Sequence, residues 1–175
     1  MRAELLSPSQ LSEELRTGTG SDLRRRRIGL GLSFAGVAIG GVVAAYQTGL
    51  LKRLPDILPG SIWDAEKVDA SDYAYRHLQQ PDGTSMLVNY GLTAMNISAG
   101  GKDRARQNPA LPVAAAAKAA FDLALCLKLT ADEWRDNQKL CSWCQVATAL
   151  SAATFAVTVP EAIKAVRGGS GAAIH

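Results

Sequence analysis

Four charge-poor stretches, each about as long as a membrane-spanning helix, constrain this fold more than any other feature of the sequence. A helix needs about 20 mostly apolar residues to cross the hydrocarbon core of a bilayer. Charged residues occur in the third stretch alone. The stretches cover residues 28–51, 83–101, 109–127 and 140–159. The sequence therefore predicts an all-α membrane protein, built as a four-transmembrane-helix bundle.

Basic residues indicate how the four predicted spans are oriented. With the amino terminus in the cytoplasm, the cytoplasmic segments contain 11 Lys and Arg residues and the outer connectors contain 7. Cytoplasmic loops of membrane proteins carry an excess of these residues, so we predict that both termini are cytoplasmic. Residues 1–27 then form a cytoplasmic tail, residues 28–165 form the membrane domain, and residues 166–175 form a second tail.

A run of four arginines, Arg24 to Arg27, comes immediately before the first predicted span. Such a run can also bind nucleic acid, but nucleic-acid sites often place aromatic residues among the basic ones, and none accompanies this run. We therefore expect no nucleic-acid partner. Ahead of the run, Ser7, Pro8 and Gln10 predict the capped start of a short helix, and residues 17–21 predict a flexible linker.

Two features predict close packing between the spans. Gly36 and Gly40 form a small-residue face on the first span, which lets a neighbouring helix approach closely. Lys118 and Asp122 lie four residues apart in the third span and should form an ion pair. Ionisable groups in a span usually face the bundle interior and indicate function, whereas a lysine can also snorkel toward the membrane surface. Both interpretations of this pair are open at the level of sequence.

A Cys-x-x-Cys pair begins the fourth predicted span. In a helix that starts near Leu140, Cys141 and Cys144 would lie on one face, close enough to form a disulfide. A helix N-terminus stabilises a thiolate, so we expect a lowered thiol pKa. Cys126 lies near the outer end of the third span and is either a packing residue or a third redox thiol.

The long connector between the first two spans, residues 52–82, is acidic and is broken by prolines. Residues 69–78 predict a short helix, with His77 as an exposed loop histidine. Metal ligands come in sets, and no second His or Cys is near His77. A zinc site at the Cys-x-x-Cys pair would need two more ligands, and Cys126 is the one candidate. We therefore predict no metal.

Three motifs resemble the vitamin K epoxide reductase family of membrane thiol oxidoreductases, and the resemblance covers about residues 28–165. They are Cys141-Ser142-Trp143-Cys144, the connector string from Val68 to Ala74, and Pro81-Asp82 at the start of the second span. The resemblance implies a multi-pass protein of the cell inner (plasma) membrane, with the Cys-x-x-Cys pair on the outer, periplasmic side. It also implies disulfide chemistry coupled to a quinone, with membrane lipid and an external thiol or thioredoxin-like protein as partners.

The resemblance assigns roles to individual residues. In the family the second cysteine of the motif faces the quinone, which implies that Cys144 meets the quinone while Cys141, at the water edge, exchanges with partners. The quinone-binding positions correspond to Ser71, Asp82 and Thr148. Asp82 stands where the family usually has an asparagine that hydrogen-bonds a quinone carbonyl, and a carboxyl donates such a bond only when protonated. Thr148 stands where the family commonly has a tyrosine.

The connector cysteines of the family are missing from this chain, and Ala65 or a neighbour occupies the expected position. Either an external thiol reaches Cys141 directly, or the full catalytic cycle has been lost. Two functions follow from these alternatives. The first is a membrane thiol:quinone oxidoreductase. The second is a catalytically degenerate relative that acts as a structural or assembly subunit of the membrane.

Overall fold

The computed structural model describes residues 6–76 and 79–170 of the 175-residue chain. Helices make up its regular structure, and no strand occurs among the described residues. The helices are α1 (Pro8–Thr17), α2 (Ser21–Gln47), α3 (Ala65–Asp69), α4 (Asp72–Tyr75), α5 (Asp82–Ser98), α6 (Arg104–Gln107), α7 (Ala110–Asn137) and α8 (Ser142–Ser170). The all-α prediction is therefore confirmed for the described part of the chain.

Three of these helices are long and apolar enough to cross a membrane. They are α2, α7 and the part of α8 from Ser142 to Gly168. The second predicted span corresponds to α5, which has 17 residues and is the shortest of the four long helices. By length and composition the structure thus has three candidate spans. The shorter helix α5 packs against two of them, α2 and α7.

The four long helices pack against one another. α2 contacts α5 and α8, and α7 contacts α8 and α5. The predicted glycine face lies between α2 and α5, where a Cβ on Gly36 would overlap the ring of Tyr90. A Cβ on Gly40 would lie 3.1 Å from the backbone nitrogen of Leu87. The predicted role of these two glycines in helix packing is therefore confirmed.

The amino-terminal region is more ordered than the sequence suggests. The capped start of α1 is confirmed, because Ser7 and Gln10 each accept a hydrogen bond from the other's backbone N–H. The predicted linker is shorter than expected, because α1 extends through Thr17 and α2 begins at Ser21. Arg27 reaches across the linker and donates to the carbonyls of Leu15 and Gly18. These bonds tie α1 to the start of α2.

A cluster of buried charges, which we call the arginine cluster, holds the end of the bundle opposite the cysteines. It consists of Arg26, Arg104 and Glu161. Arg104 donates to both carboxylate oxygens of Glu161, at 2.9 and 2.8 Å. Arg26 donates to the carbonyls of five successive residues at the end of α5, residues 97–101. α8 continues through Pro160, and Glu161, the next residue, is buried in the interior.

The outer connector, residues 48–81, folds onto the start of α8. The N–H of Leu140 donates to the carbonyl of Ile62, and the N–H of Asp64 donates to the carbonyl of Leu140, each at 3.0 Å. Two short helices, α3 and α4, replace the single helix predicted over residues 69–78. His77 lies outside the described residues. The backbone pairing brings α3 and its side chains next to the Cys-x-x-Cys pair.

Candidate functional site

The two cysteines of the motif come together at the start of α8. Cys141 directly precedes the helix and Cys144 lies in its first turn. The N–H of Cys144 donates to Cys141 Sγ at 3.2 Å, and both residues are free thiols. Their sulfur atoms lie within 4.8 Å of each other. A small movement would therefore bring them to the bonding distance of a disulfide.

Asp56 fastens the outer connector to the cysteine motif. One of its carboxylate oxygens accepts hydrogen bonds from the N–H and the hydroxyl of Ser142, at 3.2 and 2.6 Å. The other oxygen accepts from the N–H of Ala65 at 3.0 Å. Ala65, at the expected position of a connector cysteine, then packs against Cys141 in one hydrophobic cluster. Cys141 is 0% exposed, so the expectation that it lies at the water edge is wrong, because the connector covers it.

Asp69, the last residue of α3, places a buried carboxyl group beside the thiols. Its Oδ1 lies 3.8 Å from Cys144 Sγ, which donates to it. Its Oδ2 is buried and has no hydrogen-bond partner among the described residues. Burial raises the pKa of Asp69 to about 7, although hydrogen bonds from the two cysteines act in the opposite direction. This carboxyl group therefore titrates near neutral pH.

The expectation that the helix N-terminus lowers the thiol pKa is wrong for Cys141. Its hydrogen bond with Cys144 does lower the pKa, but burial and the negative charge of Asp69 outweigh that effect and raise it to about 11. Glu133 on α7 adds a second carboxyl group, which accepts the N–H of Cys141 at 3.3 Å. Cys141 is therefore a neutral thiol at physiological pH.

A cavity of about 340 Å³ opens beside Cys144, between α5, α7 and α8. Cys144, Asp82 and Thr148 all line it, whereas Cys141 and Ser71 do not. The other lining residues are mostly apolar or aromatic: Tyr73, Ser85, Met86, Asn89, Tyr90, Leu125, Cys126, Leu129, Thr130, Glu133 and Ala147. The structure thus brings three of the five predicted site residues to one cavity.

The three residues predicted to bind quinone make different contacts. Asp82 accepts a hydrogen bond of 2.6 Å from the side chain of Gln47. The hydroxyl of Thr148 donates to the carbonyl of Cys144 at 2.9 Å. The hydroxyl of Ser71 donates to a carbonyl within the connector at 2.6 Å. Asp82 and Thr148 therefore face the cavity, while Ser71 makes its hydrogen bond within the connector.

A network of polar side chains adjoins the cavity through Asn89. Lys118 donates to Asp122 at 2.5 Å, to Asn89 at 2.8 Å and to Thr93 at 3.1 Å. The predicted ion pair between Lys118 and Asp122 is therefore confirmed. Asn89 and Thr93 also donate to the Asp122 carboxylate. These bonds hold the lysine inside the bundle, so it does not snorkel toward the surface.

Potential metal ligands also converge on the thiols. Asp69, Cys141 and Cys144 each place one ligand atom within 4.8 Å of the other two, and no other such group of three occurs in residues 6–76 and 79–170. Zinc takes both thiolate and carboxylate ligands. The sequence offered Cys126 as the possible third ligand, but Cys126 instead contacts the hydroxyl of Ser151 at 3.6 Å. That the protein has no metal cofactor stays a prediction.

Sequence reasoning missed three acidic residues of the site: Asp56, Asp69 and Glu133. Asp69 could have been found, because it follows Val68 within the connector motif that carries the family resemblance. No sequence motif marks Glu133. It lies near the thiols because α7 extends to Asn137, ten residues beyond the end of the third predicted span. Asp56 likewise depends on the fold of the connector and looks like any solvated loop residue in the sequence.

Comparison with known families agrees with this geometry. The family model described as Vitamin K epoxide reductase family matches residues 27–159, which is more than half of the chain. The matched range includes both cysteines of the pair, the outer connector and the cavity. No curated protein and no solved structure matches the chain. With three helices apolar enough to cross a membrane, the chain is a multi-pass membrane protein that belongs to the vitamin K epoxide reductase family.

Proposed function

We propose that this protein is a thiol:quinone oxidoreductase of the cell inner membrane, in which Cys141 and Cys144 alternate between dithiol and disulfide. One observation carries the proposal: Cys144 lines the cavity and also contacts its partner cysteine. Membership of the family supports redox activity in the membrane and a quinone as the reaction partner. In this proposal Cys144 is the sulfur that meets the quinone.

The proposed reaction balances two electrons and two protons. The Cys144 thiol loses its proton and adds to the quinone ring, which forms a carbon–sulfur bond. The Cys141 thiol then loses its proton and attacks Cys144 Sγ, so the disulfide forms and the carbon–sulfur bond breaks. The electron pair of that bond leaves with the quinone, which takes up two protons and becomes the quinol. Run backwards, the same steps transfer electrons from quinol to the disulfide.

The cavity has the size and lining for a quinone head group. Its volume of about 340 Å³ lies within the range of roughly 300–1,000 Å³ for small-molecule pockets, which are also mainly apolar with a few polar groups. Asp82 would donate to a quinone carbonyl when its carboxyl is protonated. Thr148, one turn beyond Cys144 on the same face of α8, would contact the ring next to the sulfur.

Exchange with an external thiol or thioredoxin-like protein requires the outer connector to move. Cys141 is fully buried and is covered by Leu54, Ala65 and Val68 of the connector. We assign partner exchange to a state in which the bonds of Asp56 to the motif are broken and this segment has lifted. The same movement would compensate for the missing connector cysteines, because it lets the partner reach the buried sulfur directly.

Purified full-length protein provides the test of the activity. Reduced protein mixed with a quinone without oxygen should lose two thiols for each quinol formed. Cys144→Ser should lower this rate by roughly three orders of magnitude or more, as is usual when a nucleophile is removed. Cys141→Ser should block the second step, so that a quinone adduct accumulates on Cys144. If wild-type protein forms a disulfide with other oxidants but never with quinone, the assembly-subunit function replaces this one.

The topology that we propose has four spanning helices, both termini in the cytoplasm, residues 28–165 in the membrane domain and the Cys-x-x-Cys pair facing the periplasm. The 17 residues of α5 reach the lower end of the length range of about 17–25 residues for a span. Asp72→Cys in the connector and Lys102→Cys in the α5–α6 loop provide the test, because both positions are exposed. An impermeant maleimide added to intact cells should label the first and spare the second. The reverse pattern would show that the orientation is inverted.

A further inference from the structure

The three side chains around the thiols have the donor types and spacing of a metal site. Asp69, Cys141 and Cys144 hold their ligand atoms within 4.8 Å of one another, and Cys144 Sγ lies 3.8 Å from Asp69 Oδ1. Around a tetrahedral zinc ion, with bonds of about 2.0–2.3 Å, neighbouring ligand atoms lie about 3.5–4 Å apart. Small side-chain movements would therefore bring all three to bonding distance.

A second observation indicates that a cation belongs there. Asp69 is 1% exposed, and its Oδ2 has no hydrogen-bond partner among the described residues. A buried polar atom without a partner is costly and needs an explanation, such as an ion. The charges of Asp82 and Asp56 also act on the Asp69 carboxyl group. A divalent cation would satisfy the carboxylate oxygen and offset the concentration of negative charge.

We propose that the reduced cysteine pair and Asp69 bind one zinc ion, and that the bound ion keeps the dithiol from forming its disulfide. Three ligands come from the protein, and the cavity that Cys144 lines would supply the space for a fourth. An open fourth position is typical of zinc sites that exchange a water or another ligand. Binding releases the two thiol protons to solvent and involves no electron transfer. Metal and disulfide exclude each other because both require the same two sulfurs.

This site does not depend on the proposed reaction with quinone, since it needs only the reduced thiols and the carboxylate. Its role would be inhibitory or protective: an ion bound to the dithiol blocks oxidation until it is removed. The carboxylate distinguishes the proposal from the general affinity of any Cys-x-x-Cys pair for soft metals. The experiment therefore centres on Asp69.

The test is a titration of the reduced full-length protein in detergent with Co²⁺, followed by displacement with Zn²⁺. We expect one Co²⁺ per chain, a thiolate-to-cobalt absorption band, and loss of the band when the pair is oxidised to the disulfide. Asp69→Asn should weaken binding by roughly tenfold or more, the scale on which changes around a metal site act. Asp72→Asn, which changes an exposed carboxylate at the first position of α4, is the matched control and should bind like wild type. The band should persist in Cys126→Ser.

A second variant covers the case in which Asp69→Asn does not fold. Asp69→Cys should increase the thiolate-to-cobalt band per ion by about one half, because the third ligand becomes a thiolate. Equal affinity in wild type and Asp69→Asn, or an unchanged band in Asp69→Cys, would overturn the proposal. Quinone-dependent loss of thiols, measured separately on metal-free protein, reports on the proposed function alone. The proposed zinc site and the proposed quinone reaction can therefore be refuted independently of each other.

Discussion

Two ends of the molecule bury charged groups, and they do so in different ways. In the arginine cluster, the Arg104 side chain is 1% exposed and the Glu161 side chain 3%, yet both carboxylate oxygens accept hydrogen bonds. Arg26 likewise has five carbonyl partners at the end of α5. At the cysteine site, by contrast, Asp69 leaves one buried oxygen with no hydrogen-bond partner in the described part of the chain, and its carboxyl group lies beside two thiols.

This difference in hydrogen bonding distinguishes charged groups that stabilise the fold from charged groups that take part in a reaction. Buried charges stabilise a structure only when hydrogen bonds replace the lost water, and the arginine cluster meets that condition. The cysteine site does not, and its carboxyl group and Cys141 thiol have pKa values shifted toward their neutral forms. Perturbed pKa values and unsatisfied polar atoms are concentrated at functional sites. Changes at the first end should therefore cost stability, and changes at the second should alter reactivity.

The largest effect on stability is expected from Glu161→Ala. It leaves the Arg104 guanidinium buried without its partner, which typically costs about 3–5 kcal/mol. Thermal unfolding of the purified protein in detergent would measure the loss. The double variant Arg104→Met with Glu161→Leu should be less destabilised than the single one, because the buried Arg104 guanidinium is removed together with its carboxylate partner. Equal losses of stability in the single and the double variant would show that leaving Arg104 without its partner carries no cost of its own.

The pair Lys118 and Asp122 should behave similarly but with a smaller cost. Lys118 keeps some exposure and has two neutral partners besides Asp122, so we expect Lys118→Met to cost roughly 1–3 kcal/mol. Asp122→Leu leaves the lysine uncompensated and should cost slightly more. Unfolding of both singles and the double gives their coupling energy. Additive losses would contradict the coupling that the geometry implies.

Asp56→Ala should loosen the cover over Cys141 with a modest loss of stability, of roughly 1–2 kcal/mol for its hydrogen bonds. Because the bonds to Ser142 and Ala65 are lost, a water-soluble maleimide should modify Cys141 several-fold faster. Mass spectrometry of the labelled peptide would measure the rate. Asp72→Ala, which also removes a connector carboxylate, should leave the rate unchanged. Unaltered labelling in Asp56→Ala would mean that partners reach the thiol without lifting the connector.

The smallest expected effect is a shift of the Cys141 titration in Asp69→Asn. Burial and the Asp69 charge outweigh the hydrogen bond with Cys144 and raise the Cys141 pKa to about 11, above the unfolded value of about 8.5. The neutral thiol thus favours the reduced fold below about pH 8.5, and this contribution is lost as pH rises through 11. Removing the negative charge should lower the pKa, so the ultraviolet absorbance of the thiolate should develop at lower pH than in wild type. A titration curve that coincides with that of Asp72→Asn would show that the carboxyl does not act on the thiol.

The sequence by itself determined the class of fold, the helix contacts of Gly36 and Gly40, the ion pair of Lys118 with Asp122 and the family. These features depend on local spacing: apolar stretches long enough for a membrane, small residues four apart, and opposite charges one helical turn apart. Such relations are present in the chain before it folds. The motif Cys141 to Cys144 is of the same kind, because the helix alone brings its sulfurs together.

Only the tertiary structure decided that Cys141 is buried, that its thiol pKa is raised, and that Asp69 stands beside it. All three follow from the outer connector, whose backbone pairs with Leu140 and whose Asp56 bonds to Ser142. These contacts join residues more than 70 positions apart, and no local pattern encodes them. The sequence placed the cysteine at the start of a helix, where a thiolate is favoured. The connector then excludes water from the same sulfur and places the Asp69 carboxyl group beside it. Because Cys141 is fully buried, desolvation raises its thiol pKa by more than the helix terminus can lower it.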